Sequence, residues 1–298
     1  MRKVIFCVSI TAFLFGTMEA ALKLAGSELD SLQLTFLRFF IGGLLLLPFA
    51  VREAKHNNVR LTKKDIGWLV LVGMMGVAIS MVCFQYGVNG CNAATASSLI
   101  CLNPLFTMVI AHIFTDEKMD KIKVIAMIIG LMAMLMMIRP WDVQEGNSIS
   151  GMILMVVAAV TFAAYTVMGK RSIDRIGTFL QTSISFILGS LMILVVILAT
   201  GRPVLEGVSD HWQLVLYVGV MVTGVGYFTY FTAIKHSDAT TGSIAFFIKP
   251  AIAPVFAVTL LEEDLLWSTI VGIVLLVGAS FFTFFDSRHH EERLPHKE

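Results

Sequence analysis

Runs of about twenty apolar residues recur along almost the whole 298-residue chain, and nothing else in the sequence limits its fold as much. Each is long enough to cross a hydrocarbon core about 30 Å thick as a helix. Backbone N–H and C=O groups have no water to bond to there, so helices satisfy them within each span. The expected spans are Val4–Ala25, Leu32–Val51, Ile66–Val88, Ala93–Phe114, Ile122–Ile138, Ser150–Gly169, Thr178–Thr200, Leu214–Ile234, Ala239–Leu261 and Leu266–Phe285. The fold class read from this pattern is an all-α integral membrane protein with ten transmembrane helices. Only 14% of the residues are charged and 57% are hydrophobic, against about 25% and 45–50% in soluble domains. The connections are short, the longest around Arg52–Asp65, so no soluble catalytic domain is inserted.

The apolar run after Met1-Arg-Lys is followed by no small-residue cleavage site with a polar mature sequence, so it reads as a retained first helix rather than a signal peptide. Cys7, Cys83, Cys91 and Cys101 have no metal-ligand spacing and read as small buried hydrophobes; no metal or cofactor is expected. With the N-terminus inside, the connections on that side collect Arg2, Lys3, Arg52, Lys55, Arg60, Lys63, Lys64, Lys118, Lys121, Lys123, Lys170, Arg171, Arg175, Lys235, Arg288, Arg293 and Lys297. The other side holds only Arg139 and Arg202. Cytoplasmic loops carry the Lys and Arg excess, which places both termini in the cytoplasm and the chain in the cytoplasmic membrane.

Shifting the sequence by 147 lays Phe15 on Phe162, Lys23 on Lys170 and Phe39 on Phe186. A shift of 146 lays Asn92–Ser97 on Asp238–Ser243, Pro104 on Pro250 and Glu117 on Glu263. The halves, 1–140 and 141–298, read as five-helix repeats. An odd number of helices per repeat turns the second upside down, the inverted plan common among secondary transporters.

These features together resemble the drug/metabolite transporter superfamily and its EamA-like ten-helix branch: a five-plus-five repeat, Ala-Ala-Thr-Ala-Ser-Ser and Ala-Thr-Thr-Gly-Ser opening helices four and nine, a proline within each, and Glu117 or Glu263 just after. The resemblance implies a central cavity lined by helices one to four and six to nine, with five and ten as outer supports, and export of metabolites or drugs. The expected partners are a small-molecule substrate, the lipid bilayer and a second copy of the chain, with no nucleic acid.

A charge at the centre of a membrane helix costs about 2.5–3.5 kcal/mol on insertion scales. Glu19, Lys23, Arg38 and Lys249 therefore need reasons. Glu19 and Lys23 are four apart, so they share a face of helix one and could pair there; Glu19, the only acidic residue within any span, is the candidate proton-coupling site, with Lys23 modulating it, the alternative being a permanent ion pair with Lys23 that merely lets both groups sit in the bilayer. Lys23 and Arg38 have the alternative of snorkelling to the interface. Lys249 precedes Pro250 as Asn103 precedes Pro104, and proline-bent helices free carbonyls near the midplane where such transporters bind substrate. Lys249, Asn103, Arg38, Tyr165 and Tyr86 are the candidate substrate-binding residues. Glu117 and Glu263 read as helix caps.

The rival classes are weaker. Ser243 with His112 or His236 lacks a nucleophile motif, so an intramembrane hydrolase is disfavoured, and no Gly-x-x-x-x-Gly-Lys-Ser/Thr loop is present for an ATP-driven pump. A passive channel or facilitator for small solutes is the alternative to an alternating-access carrier. The excess of Lys23, Arg38 and Lys249 over Glu19 leans toward substrates carrying a carboxylate or other anion.

Overall fold

The computed structural model describes residues 2–115, 119, 121–139, 145–243, 245–262 and scattered positions between 267 and 278. They are helical, with no strand among the described residues. Seven helices are long and apolar enough to cross a membrane: α1 (Lys3–Gly26), α2 (Ser31–His56), α3 (Lys63–Asn89), α4 (Ala93–Phe114), α6 (Ile149–Ile176), α7 (Thr178–Ala199) and α8 (Trp212–Lys235). Two shorter apolar elements complete the described part, α5 (Lys121–Ile138) and α9, which comprises Ala239–Ser243 and Ala245–Leu261. The expected span Leu266–Phe285 falls mostly outside the described residues, as do Glu117, Lys118 and Glu263.

Two helices outrun their expected ends. α2 continues to His56, so Arg52 and Lys55 are helical, and α6 runs from Gly169 on to Ile176. Both extensions are amphipathic. In α6, Ser172, Ile173 and Ile176 turn inward while Arg171 and Arg175 stay exposed, a pattern that hydropathy alone reads as loop.

Helix ends are capped from the sequence. Asp30 accepts from the N–H groups of Leu32 (2.9 Å) and Gln33 (3.3 Å) at the start of α2. Gly177, at φ 94°, has no side chain to do the same for α7. The Glu53 carboxylate, from the far end of α2, accepts the N–H groups of Thr178, Phe179 and Leu180 at 3.3, 2.9 and 3.2 Å. A carboxylate there also meets the positive end of the helix dipole.

The halves interlock. α1 packs on α8 and α9, α6 on α3 and α4, α2 on α7, and α4 on α9. This set is unchanged when helices one to four are exchanged with six to nine. Single hydrogen bonds repeat as well. Thr11 Oγ1 donates to Gly226 O (3.4 Å) and Ser80 Oγ to Ala158 O (2.9 Å); Lys23 Nζ donates to Cys91 O (3.0 Å) and Lys170 Nζ to Ser237 O (2.8 Å). Glycines permit the close approach that drives helix association in lipid: a Cβ on Gly189 would stand 2.5 Å from Gly73 O and 2.6 Å from Val77 Cβ. Overlapping places in α3 and α8 are π-helical, Met74–Met81 and Tyr217–Val225.

The connections sort into two ends. At one, Arg202 Nη1 reaches Asp30 Oδ2 (2.8 Å) and Tyr86 Oη (3.0 Å), Gln33 Nε2 donates to Glu206 O (2.8 Å), and Asn92 Nδ2 donates to Glu145 O (2.9 Å). At the other, Glu53 lies 3.9 Å from Lys235 and Asp65 2.6 Å from Arg175.

Candidate functional site

Between these ends lies a buried charged cluster. The first helix breaks at Thr17, whose hydroxyl donates to Leu14 O (2.8 Å) and meets Tyr217 Oη (2.6 Å). The break places Glu19 in the first turn of the segment Met18–Gly26. Its Oε1 pairs with Lys249 Nζ from α9, and both side chains are buried. This corrects the expected local pair with Lys23. Glu19 points into the protein, while Lys23, one turn toward the helix end, is partly exposed and donates to Cys91 O.

Arg38, on α2, is fully buried rather than snorkelling. Its guanidinium carbon lies 4.7 Å from the Phe39 ring centroid and 5.9 Å from that of Phe84, and Nη1 donates to Met18 Sδ at 3.6 Å. Lys249 Nζ lies 5.6 Å from the same Phe84 ring and 5.8 Å from Phe246. Two cations thus share one ring, a contact that strengthens where water is excluded. Arg38 Nε and Nη2 and Glu19 Oε2 have no hydrogen-bond partner among the described residues. Buried polar atoms are nearly always paired, so three unpaired atoms on two adjoining charged groups are unusual.

Aromatic rings wall the cluster. Phe15 lies 4.9 Å from Tyr227 and 5.5 Å from Phe246, Phe39 lies 4.7 Å from Phe186, and Phe162 lies 5.8 Å from Tyr227 and 5.4 Å from Tyr165. Tyr230 Oη is satisfied by Thr166 at 2.8 Å. Tyr165 Oη, equally buried, faces Gln181 and Ser185, and Gln85 Oε1, Ser97 Oγ and Thr223 Oγ1 have no hydrogen-bond partner among the described residues.

The structure brings Lys249, Glu19 and Arg38 together and adds Tyr165 to the ring wall. Asn103 is committed elsewhere: α4 is interrupted at Cys101 and Leu102, Asn103 opens the next helical piece, and its Nδ2 donates to Ala159 O at 3.2 Å. Lys249 and Asn103 each reach the first helix of the opposite half, but Lys249 finds a carboxylate there and Asn103 a backbone carbonyl. Tyr86 lies at the end of the bundle, its hydroxyl accepting from Arg202. Phe39, Phe84 and Phe246 were not among the sequence candidates. The repeat carried a signal for one of them, since the 146-residue shift lays Phe84 on Tyr230.

The profile of the EamA-like transporter family matches residues 2–139 and again 149–285. An uncharacterized transporter of Clostridium kluyveri is 33% identical over 295 residues, covering 97% of this chain and 95% of that protein. The uncharacterized transporter YoaV of Bacillus subtilis is 23% identical, covering 96% and 98%. An S-adenosylmethionine uptake transporter of Rickettsia bellii is 23% identical, covering 89% and 88%. A protein crystal structure with 17% identity superposes at a TM-score of 0.73 over 98% of this chain and 99% of its own, which shows a common fold. The chain belongs to the EamA-like transporter family: it is a multi-pass membrane transporter, not an enzyme.

Proposed function

We propose that this member of the EamA-like family is a secondary-active exporter of small metabolites or drugs that works by alternating access, with the substrate held at Arg38 and Lys249 and protons coupled at Glu19. The observation that carries the reading is the buried Glu19–Lys249–Arg38 cluster, which draws charges from both halves and leaves Arg38 Nε, Arg38 Nη2 and Glu19 Oε2 unpartnered. Nε and Nη2 form one edge of the guanidinium fork, the edge that takes a carboxylate through two parallel hydrogen bonds. The substrate reading is accordingly a small molecule with a carboxylate or similar anion, its body against the rings that include Tyr165.

Ten helices in two inverted repeats, 1–140 and 141–298, suit such a carrier. The exchange-symmetric packing supports this, and so does the placement of Lys23 and Lys170, repeat equivalents that bond near opposite ends of the bundle. The end bearing Lys64, Arg171, Arg175 and Lys235 is the cytoplasmic one by its basic charge, with both termini on that side. Arg202–Asp30 and Arg175–Asp65 each tie one half to the other, so exchange between outward and inward forms means breaking one tie while the other holds. Protonating Glu19 removes its attraction for Lys249, so the buried pair opens when the proton binds and re-forms when it leaves. Uptake is the second reading for direction, favoured by the Rickettsia relative named for uptake.

Counterflow in liposomes tests the carrier against a channel: unlabelled substrate inside should accelerate entry of labelled substrate. A pH gradient should drive accumulation in the wild type but not in Glu19→Gln, which should still exchange. Accumulation that survives Glu19→Gln overturns the coupling role, and flux without trans-stimulation overturns the carrier.

A further inference from the structure

The helix ends of α3 and α6 flank an open cleft of about 220 Å³ lined by Lys64, Asp65, Trp68, Arg171 and Arg175 over an apolar floor of Leu69 and Ile176. That is many times the space one water needs. Its acid is spoken for: Asp65 takes Arg175 through both oxygens, Nη1 to Oδ1 at 2.6 Å and Nη2 to Oδ2 at 2.8 Å, and also accepts from Thr62 N (2.7 Å) and Oγ1 (2.6 Å). Lys64 and Arg171 make no ion pair among the described residues, so the cavity keeps an excess of positive charge. Arg171 lies 5.4 Å from the centroid of the Trp68 ring, and Trp68 Nε1 donates to Met168 O at 3.4 Å, which fixes the indole as one wall.

The position selects the ligand. α3 begins at Lys63 and α6 ends at Ile176, so the cavity lies where two membrane-spanning helices leave the hydrocarbon, the level at which Trp concentrates. Ile66 beside it is exposed on the bundle surface. A basic, Trp-walled cavity between helix ends at headgroup depth suits a lipid phosphate. We propose that it binds the headgroup of an anionic phospholipid, with Lys64 and Arg171 on the phosphate, Arg175 held in place by Asp65, and the glycerol and first acyl carbons along Leu69 and Ile176. The site is separate from the Glu19–Lys249–Arg38 cluster; it shares only the Arg175–Asp65 tie with the transport reading, and its test reads lipid retention rather than transport.

Native mass spectrometry of the full-length protein, exchanged with phosphatidylglycerol or phosphatidylcholine of matched chains, tests this. The wild type should retain phosphatidylglycerol in preference to phosphatidylcholine. Lys64→Gln with Arg171→Gln should weaken its retention about thirtyfold and leave phosphatidylcholine unchanged. The charge-keeping pair Lys64→Arg with Arg171→Lys should keep most of the affinity. Equal retention of both lipids by the wild type, or unchanged phosphatidylglycerol retention in the Gln pair, overturns the proposal. So does displacement of phosphatidylglycerol by an equal concentration of inorganic phosphate, which would make this a free-phosphate site.

Discussion

Glu19 and Lys249 stand 230 positions apart in sequence and form one buried ion pair across the two halves of the bundle. Breaking such a pair by removing one partner strands the other charge, at a cost of about 3–5 kcal/mol, whereas neutralising both removes the problem. Glu19→Gln and Lys249→Met should each destabilise the protein by about that much in detergent unfolding titrations. The double variant should regain most of the loss while remaining inactive in transport. Single variants as stable as the wild type would mean that the pair is solvated and that the buried geometry is wrong.

The fork of Arg38 predicts a sharper effect on binding than on stability. Arg38→Lys keeps a positive charge but offers no two-pronged edge. Affinity for an anionic substrate should fall at least about tenfold, a loss on the scale of one charged hydrogen bond. Isothermal titration against the substrate that wild type transports would measure it. Unchanged affinity would remove Arg38 from the binding role.

Glu53 caps a helix that cannot cap itself. Glu53→Ala should cost about 1 kcal/mol of stability, the usual loss of a helix cap. Gly177→Asp should not restore it, because φ of 94° strains any residue with a Cβ. Unfolding curves of the single and double variants check both statements; a Gly177→Asp rescue would show that the backbone there relaxes freely.

The tie between Arg202 and Asp30 is partly exposed, with side-chain accessibilities of 41% and 23%. Tyr86 and then Asp30 hold the proton on Arg202 even more firmly than usual, so the cation persists at every working pH. Exposed pairs add little to folding. Arg202→Gln should therefore leave the melting temperature nearly unchanged and instead raise labelling of a cysteine introduced at Leu29 by a membrane-impermeant reagent. Labelling no faster than in the parent would show that this tie does not hold the end closed.

His236 follows α8 and is held below its ordinary value of 6.5, first by burial and then by Lys3 and Lys235. The folded protein takes up this proton less readily than the unfolded chain, so its contribution to stability is present above the ordinary value and is lost as the pH falls through the lowered one. His236→Gln should flatten that part of the acid-side decline in a pH series of melting temperatures. An identical decline in the variant would place the titration elsewhere.

Much of this was readable in the chain. The α4 bounds are those expected, and Lys249 stood out as a charge too deep to reach water. The partner of Glu19 was not readable, because spacing rules see only the same helix and nominate Lys23; the pairing needs the contact between α1 and α9. The lengths of α2 and α6 were hidden for a different reason. Their last turns are amphipathic and basic, and hydropathy registers the exposed face without the buried one. Phe84 escaped because phenylalanine is common throughout the spans; beyond its repeat counterpart Tyr230, it is its place between two cations that distinguishes it.

The π-helical segments of α3 and α8 carry a consequence for the match between the halves. A widened turn is what a helix retains after gaining a residue without shedding its hydrogen-bonded form. Met74–Met81, moved by 146 positions, overlaps Tyr217–Val225, so both halves carry the widened turn at corresponding places. The charges are not shared in this way. The counterparts of Glu19, Arg38 and Lys249 are Thr166, Ser185 and Asn103, all neutral. The backbone is thus matched between the halves where the ionisable side chains are not, and that asymmetry gives the middle of the bundle a different charge on each side.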